Sequence, residues 1–167
     1  NVFRSAPKTS GLFSIDMVVN PSANFFKTDL RKGAIEFNGQ LYGSEGKPCI
    51  TMHANIGLTF DLDAIRKSYG RDIQRFTSRI GIADLDKPAP CNADFWILVD
   101  GEVRYSLRQY KQKGILNDIV VEIQNADRFL TLMTTDGGDL DNPAGGFYTR
   151  ANSCDWCIFT EPILILE

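Results

Sequence analysis

Apolar residues recur at every second position in several short stretches of this chain. Leu58, Phe60 and Leu62 alternate with Thr59 and Asp61; Phe95, Ile97 and Val99 alternate with Trp96 and Leu98; Ile119, Val121 and Ile123 alternate with Val120 and Glu122. Neighbouring side chains of a strand point to opposite faces, so a period of two in β-branched and aromatic residues predicts strands. Further strands are predicted at Ile50–His53, Phe76–Ile82, Val103–Leu107, Phe129–Thr134, Cys157–Thr160 and Ile163–Leu166. Asp100-Gly101 lies between two of them and is a two-residue hairpin signal, because both turn positions need a positive φ.

One short helix is expected over Ala64–Tyr69, capped by Asp63 and stopped by a left-handed Gly70. Nothing supports the long alternating helices of an α/β enzyme, and many short strands with frequent turns point to an all-β sandwich or barrel. Lys87–Pro90 and the Gly-, Asp- and Asn-rich stretch Asp136–Asn152 are loops, the second long enough to suggest a functional role or disorder. Near the amino terminus Leu12–Val19 alternates like a strand and Asn20-Pro21-Ser22 like a turn. Residues 1–38 are expected to be an N-terminal extension or an edge strand of the same domain, and residues 39–167 the sandwich itself.

A length of 167 residues suits one domain, and 43% hydrophobic with 23% charged residues is ordinary for a globular fold. Such a chain buries roughly two-thirds of its unfolded surface and needs no staple. The net charge of -3 gives no footprint for nucleic acid or for an anionic membrane. Apolar runs such as Ile163–Leu166 fall far short of the roughly 20 residues a membrane-spanning helix requires. The chain opens on Asn1, not Met, and is expected to be a processed or excised segment. Cys49, Cys91, Cys154 and Cys157 allow three disulfide pairings that sequence cannot separate. The single C-x-x-C, Cys154 to Cys157, lacks the second pair of a zinc site and the helix start of a thioredoxin-like one.

Four stretches carry a further signal when read in order. Ile50-Thr51-Met52-His53-Ala54-Asn55-Ile56 runs on to Phe60-Asp61-Leu62; Arg75-Phe76 runs on to Ile80-Gly81-Ile82-Ala83-Asp84; Phe95 to Tyr105 contains Asp100-Gly101. The last runs from Ile119 through Ala126, Leu130-Thr131-Leu132 and Asp136-Gly137-Gly138-Asp139 to Asp155-Trp156. Together they resemble the NPCBM family, the "novel putative carbohydrate-binding module", which overlaps the family-51 carbohydrate-binding modules. The resemblance covers about Asn38 to Leu166. It implies an antiparallel, jelly-roll-like β-sandwich, found as a non-catalytic module appended to larger secreted bacterial proteins, glycosidases among them. It also implies an extracellular or periplasmic place in the cell envelope, and a glycan partner of galactose type or another. The chain departs from the family at Asn152-Ser153-Cys154-Asp155-Trp156-Cys157, with a longer loop in front. The sugar specificity of known members is therefore not carried over.

The candidate ligand-binding residues are His53, Asn55, Trp96, Asp155 and Trp156. His53, the only histidine, is read either as a hydrogen-bond partner of a sugar hydroxyl or as a packed ring with both nitrogens satisfied. An indole offers a flat apolar face for the C–H groups of a pyranose, which singles out Trp96 and Trp156, although either could equally be core. Tyr42, Tyr105, Tyr110, Phe147 and Tyr148 are secondary candidates. Asp136, Asp139 and Asp141, with Asn142, are candidate ligands of a structural calcium ion, but their spacing is not that of an EF-hand and a solvated turn competes with that reading. No Gly-x-Ser-x-Gly elbow, phosphate-binding loop or dinucleotide fingerprint is present, and acids clustered in one loop do not give the carboxyl pair of a glycosidase. The expected function is carbohydrate binding without catalysis; the competing expectation is a structural or protein-interaction sandwich without a sugar site.

Overall fold

The computed structural model describes residues 35–37, 39–42, 47–54, 56–83, 91–137 and 156–167. In chain order they form β1 (Ile35–Phe37), β2 (Gln40–Tyr42), β3 (Cys49–His53), β4 (Ile56–Asp61), α1 (Leu62–Tyr69), β5 (Ile73–Ile82), β6 (Ala93–Val99), β7 (Glu102–Tyr110), β8 (Asn117–Glu122), β9 (Phe129–Asp136) and β10 (Trp156–Leu166). The predicted strand Leu12–Val19 and the loop Lys87–Pro90 lie outside the described residues.

Two four-stranded antiparallel sheets face each other, one ordered β3-β10-β5-β8 and the other β4-β9-β6-β7. From β3 to β10 every connection but one changes sheet, which is the jelly-roll arrangement of a sandwich. The exception is the hairpin between β6 and β7, where Val99 pairs with Glu102 across Asp100 (φ 51°) and Gly101 (φ 86°), the mirror-image turn expected of Asp-Gly.

The period of two decides what fills the space between the sheets. Phe95, Ile97 and Val99 of β6 are wholly buried, as are Leu132 of β9 and Cys157 and Phe159 of β10. The Phe95 ring meets Phe159 of the opposite sheet edge-on at 5.8 Å between centroids. Each such side chain contributes roughly 1.5–3 kcal/mol by leaving water.

The structure departs from the sequence expectation at two places. The helix begins two residues early, at Leu62, and its cap is Asp61, which accepts from Ala64 N at 3.0 Å, rather than Asp63. Asp61 closes β4 in extended backbone, which a cap needs, whereas Asp63 sits in the first turn and pairs with Arg66 at 3.0 Å and Arg128 at 3.2 Å. Gly70 ends the helix in the left-handed region at φ 62°, as expected. The two strands predicted at Cys157–Thr160 and Ile163–Leu166 are one strand, β10, interrupted by a register shift against β5 between Thr160 and Ile163. Glu161 takes φ 49° there, donates its N–H to Pro48 O at 2.7 Å and forms an ion pair with Arg79. The bulge absorbs the missing N–H of Pro162 without ending the strand.

The β1–β2 hairpin lies against the outer face of the β3-β10-β5-β8 sheet. Arg79 Nη2 donates to the Tyr42 hydroxyl at 2.7 Å, and Phe37 and Tyr42 are buried in the same apolar cluster as β10. Beneath α1, at one end of the sandwich, a cavity of about 540 Å³ is lined only by apolar and aromatic side chains, among them Phe60, Ile65, Tyr69, Phe76 and Leu164.

Candidate functional site

At the opposite end of the sandwich β3, β5 and β9 finish while β4, β6 and β10 begin. His53 closes β3, Ile56 opens β4, and the chain passes from one sheet to the other through Ala54 and one further residue. In the register of β3 with β10, His53 is the direct partner of Trp156. Trp156 O accepts from Ala83 N at 2.9 Å, so the first residue of β10 is held from both neighbouring strands. On the other sheet Ile56 pairs with Thr134, and Asp136, the last residue of β9, pairs with Ala93, the first of β6.

Trp156 is 7% exposed. Cys157 and Phe159 point between the sheets, so Trp156, Ile158 and Thr160 point outward, and Ile158 and Thr160 are nevertheless fully buried. This outer face of β10 is thus a second packed layer, which includes Phe37 and Tyr42 of the β1–β2 hairpin. Trp156 is a post within that layer, not an open platform.

Trp96 lies on the outer face of the other sheet. Its Nε1–H donates to Thr135 Oγ1 at 2.9 Å, and Thr135 Oγ1 donates to Asp94 Oδ2 at 3.1 Å. Asp94, 5% exposed, also accepts from Gln109 N at 2.7 Å through Oδ1. Gln109 has φ 50° at the register shift of β7 against β6, and the turned-out N–H is what reaches the buried carboxylate. The Arg108 guanidinium stands 5.4 Å from the centre of the Trp96 ring, covering it by a cation–π contact.

A family model described as NPCBM/NEW2 domain matches residues 14–152. The chain belongs to the NPCBM/NEW2 family. No curated protein matches it. Among solved structures, the chain is similar to the CBM51 of GH95 from Clostridium perfringens in complex with methyl-galactose, at 16% identity and TM-score 0.58, over 79% of this chain and 79% of that one. It is also similar to the tandem CBM51 modules of Sp3GH98, the family 98 glycoside hydrolase from Streptococcus pneumoniae SP3-BS71, at 16% identity and TM-score 0.56, over 80% of this chain and 36% of that one. The CBM51-2 and INT domains of ZmpB from Clostridium perfringens match at 14% identity and TM-score 0.50, over 78% of this chain and 25% of that one. At such identities the likeness is one of fold, and the chain spans well under half of the last two chains.

The fold brings two of the five candidate residues together and separates a third. His53 and Trp156 are partners in register, while Trp96 sits on the opposite outer face, beyond both sheets. Asn55, two residues after His53, and Asp155, next to Trp156, lie outside the described residues. Of the calcium candidates Asp136 is the buried end of β9; Asp139, Asp141 and Asn142 lie outside the described residues, as do Phe147, Tyr148 and Cys154. Among the described residues no group of three or more His, Cys, Asp or Glu side chains is placed to hold a metal. Tyr42 and Tyr110 are core residues. Cys49 is a free thiol whose pKa burial pushes up to about 11.

Sequence reading missed the polar system around Trp96. The signal was there in Asp94 and Trp96, two apart and therefore on one face of β6, opposite the apolar Phe95 and Ile97. It also missed Asn92, whose Nδ2–H donates to Gly137 O at 2.5 Å next to the last rung between β6 and β9.

Proposed function

We propose that this chain is a non-catalytic carbohydrate-binding module of a larger secreted bacterial protein, which it would hold on a glycan at or beyond the cell envelope. Membership of the NPCBM/NEW2 family over residues 14–152 carries this reading. The fold shared with CBM51 modules supports it, and the one complexed with methyl-galactose makes a galactose-type glycan the first ligand to test. The binding surface on this reading is the strand end around the His53–Trp156 pair, with Asn55 and Asp155 supplying polar groups. The cavity under α1 is a poor alternative, because beyond the Tyr69 hydroxyl its lining side chains offer no polar group to the hydroxyls of a sugar. Trp156 supports the site from below, so recognition depends on hydrogen bonds at the strand ends more than on a stacked indole. Affinity is then modest, since a shallow polar site recovers little beyond the cost of ordering the glycan.

A broad glycan array followed by calorimetry with the leading oligosaccharides tests this. Binding that is lost on His53→Ala with the melting temperature preserved is the expected result; no binding to any glycan overturns it. A second reading, a structural or protein-interaction sandwich without a sugar site, is favoured by one observation: both tryptophans are engaged, Trp156 in packing and Trp96 under Arg108. An empty array would select that reading.

A further inference from the structure

Strand β10 changes character at its bulge. Its first five residues, Trp156–Thr160, are buried and run between β3 and β5; its last six, from Glu161 to Leu166, are not buried. β3 gives out at Cys49, the partner of Thr160, and Pro48 O takes the N–H of Glu161. Beyond that point Ile163, Leu164 and Ile165 pair with Thr77, Phe76 and Arg75 of β5, and among the described residues nothing pairs with their other side. An unpaired strand edge offers its N–H and C=O groups to any extended chain, and natural folds guard such edges with charge, a bulge or a cover. Here the edge reads Ile163-Leu164-Ile165-Leu166, without a charge, and Ile163 is 46% exposed.

The cavity beneath α1 borders this edge. Pro162, Ile163, Leu164 and Leu166 form one part of its lining, and Ile50 of β3 and Phe60 of β4 another. A free edge beside an apolar cavity of about 540 Å³ suits one kind of occupant: backbone groups to pair along the strand, and an apolar side chain at every second position to enter the cavity. The chain holds a segment of that description. Phe13, Ile15, Met17 and Val19 fall on one face of an extended chain, with Ser14 and Asp16 on the other. The family match begins at residue 14 and so counts most of this segment as part of the domain. Ile35, the first residue of β1, is the partner of Tyr42; Arg79 holds the Tyr42 hydroxyl and pairs with Glu161, where the open edge begins. Residues 20–34, fully extended, reach up to roughly 50 Å. We propose that Phe13–Val19 docks as an added strand on the Ile163–Leu166 edge of β10, with Phe13, Ile15, Met17 and Val19 filling the cavity under α1. A tethered segment meets the edge at high effective concentration, which sets it ahead of a second copy or another protein. The inference does not depend on the glycan reading.

Nuclear magnetic resonance on the full chain tests it. The Met17 ε-methyl shows Overhauser contacts to the methyl groups of Leu164 or Leu166, and the edge-side amides of Ile163–Leu166 are protected from hydrogen exchange. The double variant I15D/M17D puts two carboxylates on the apolar face. It speeds exchange of those amides about tenfold or more and leaves Phe159, paired on both sides, unchanged. Ser14→Asp, on the opposite face, changes neither. Edge-side amides that exchange in the unaltered chain as fast as in an unstructured peptide overturn the proposal, as does protection that survives I15D/M17D. Protection that rises with protein concentration, together with dimers in sedimentation, assigns the edge to a second copy. Contacts from Leu164 to a different stretch of the chain assign it to that stretch, and either result overturns the docking of Phe13–Val19. Should the double variant fail to fold, the Met17 contacts in the unaltered chain decide alone.

Discussion

His53 and Trp156 are direct partners across the β3–β10 ladder, one the last residue of its strand and the other the first. More than a hundred positions separate them in sequence, yet the jelly-roll topology makes them neighbours at one end of the sandwich. Because Trp156 is packed beneath that end and is not laid open on it, the two halves of the pair make different predictions.

Trp156→Ala is expected to cost about 3–5 kcal/mol of stability, the range for emptying a large aromatic site in a core. Urea denaturation measures it. Loss of glycan binding with an unchanged midpoint would show that the indole serves the ligand directly and not the fold.

Trp96→Phe keeps the ring under Arg108 but removes the N–H that Thr135 accepts. A loss of about 0.5–1.5 kcal/mol is expected, the usual worth of one such bond, with glycan affinity unchanged because Trp96 lies on the far outer face. A fall in affinity at constant stability would place the ligand on the β4-β9-β6-β7 sheet instead.

The helix tests the corrected cap. Asp61→Ala removes the acceptor of the Ala64 N–H and is expected to cost about 1 kcal/mol. Asp63→Ala removes only exposed ion pairs with Arg66 and Arg128 and is expected to cost about 0–1 kcal/mol. Thermal melts of the two variants give the order; a larger effect at Asp63 would restore it as the cap.

Cys49 gives a pH dependence. Burial raises its thiol from the ordinary 9.0 to about 11, so the folded chain keeps a proton there that the unfolded chain has lost. The contribution is fully present below pH 9 and disappears as pH rises through 9 to 11, up to about 2–3 kcal/mol. Other groups titrate in this range, so the measurement is the difference between the unaltered chain and Cys49→Ser. Urea midpoints at pH 8.5 and 10.5 should converge between the two as pH rises; a constant offset would refute the assignment.

The strands were legible because alternation is a local property. Phe95, Ile97 and Val99 announce a buried face whatever they meet, and Asp100-Gly101 announces its turn because few dipeptides accept two positive φ values. The helix cap was misread by two residues because Asp61 and Asp63 are both acceptable caps, and only the end of β4 at Asp61 decides between them. The division of β10 was misread because Pro162 looks like a strand end, while Glu161 and Pro48 supply a bulge that carries the strand past it.

Of the site, sequence named His53 and Trp156, but their adjacency is a matter of which strands pair, and pairing is long-range. By itself the sequence determined an all-β chain with one short helix and, through ordered motifs, its family. Tertiary structure alone decided that outward-pointing Trp156 is buried, since alternation tells which side of a strand a residue takes and not what covers that side. It also decided that Trp96 and Trp156 belong to different sheets, and that Asn92 meets Gly137, because a contact 45 residues apart depends on two strands being brought level.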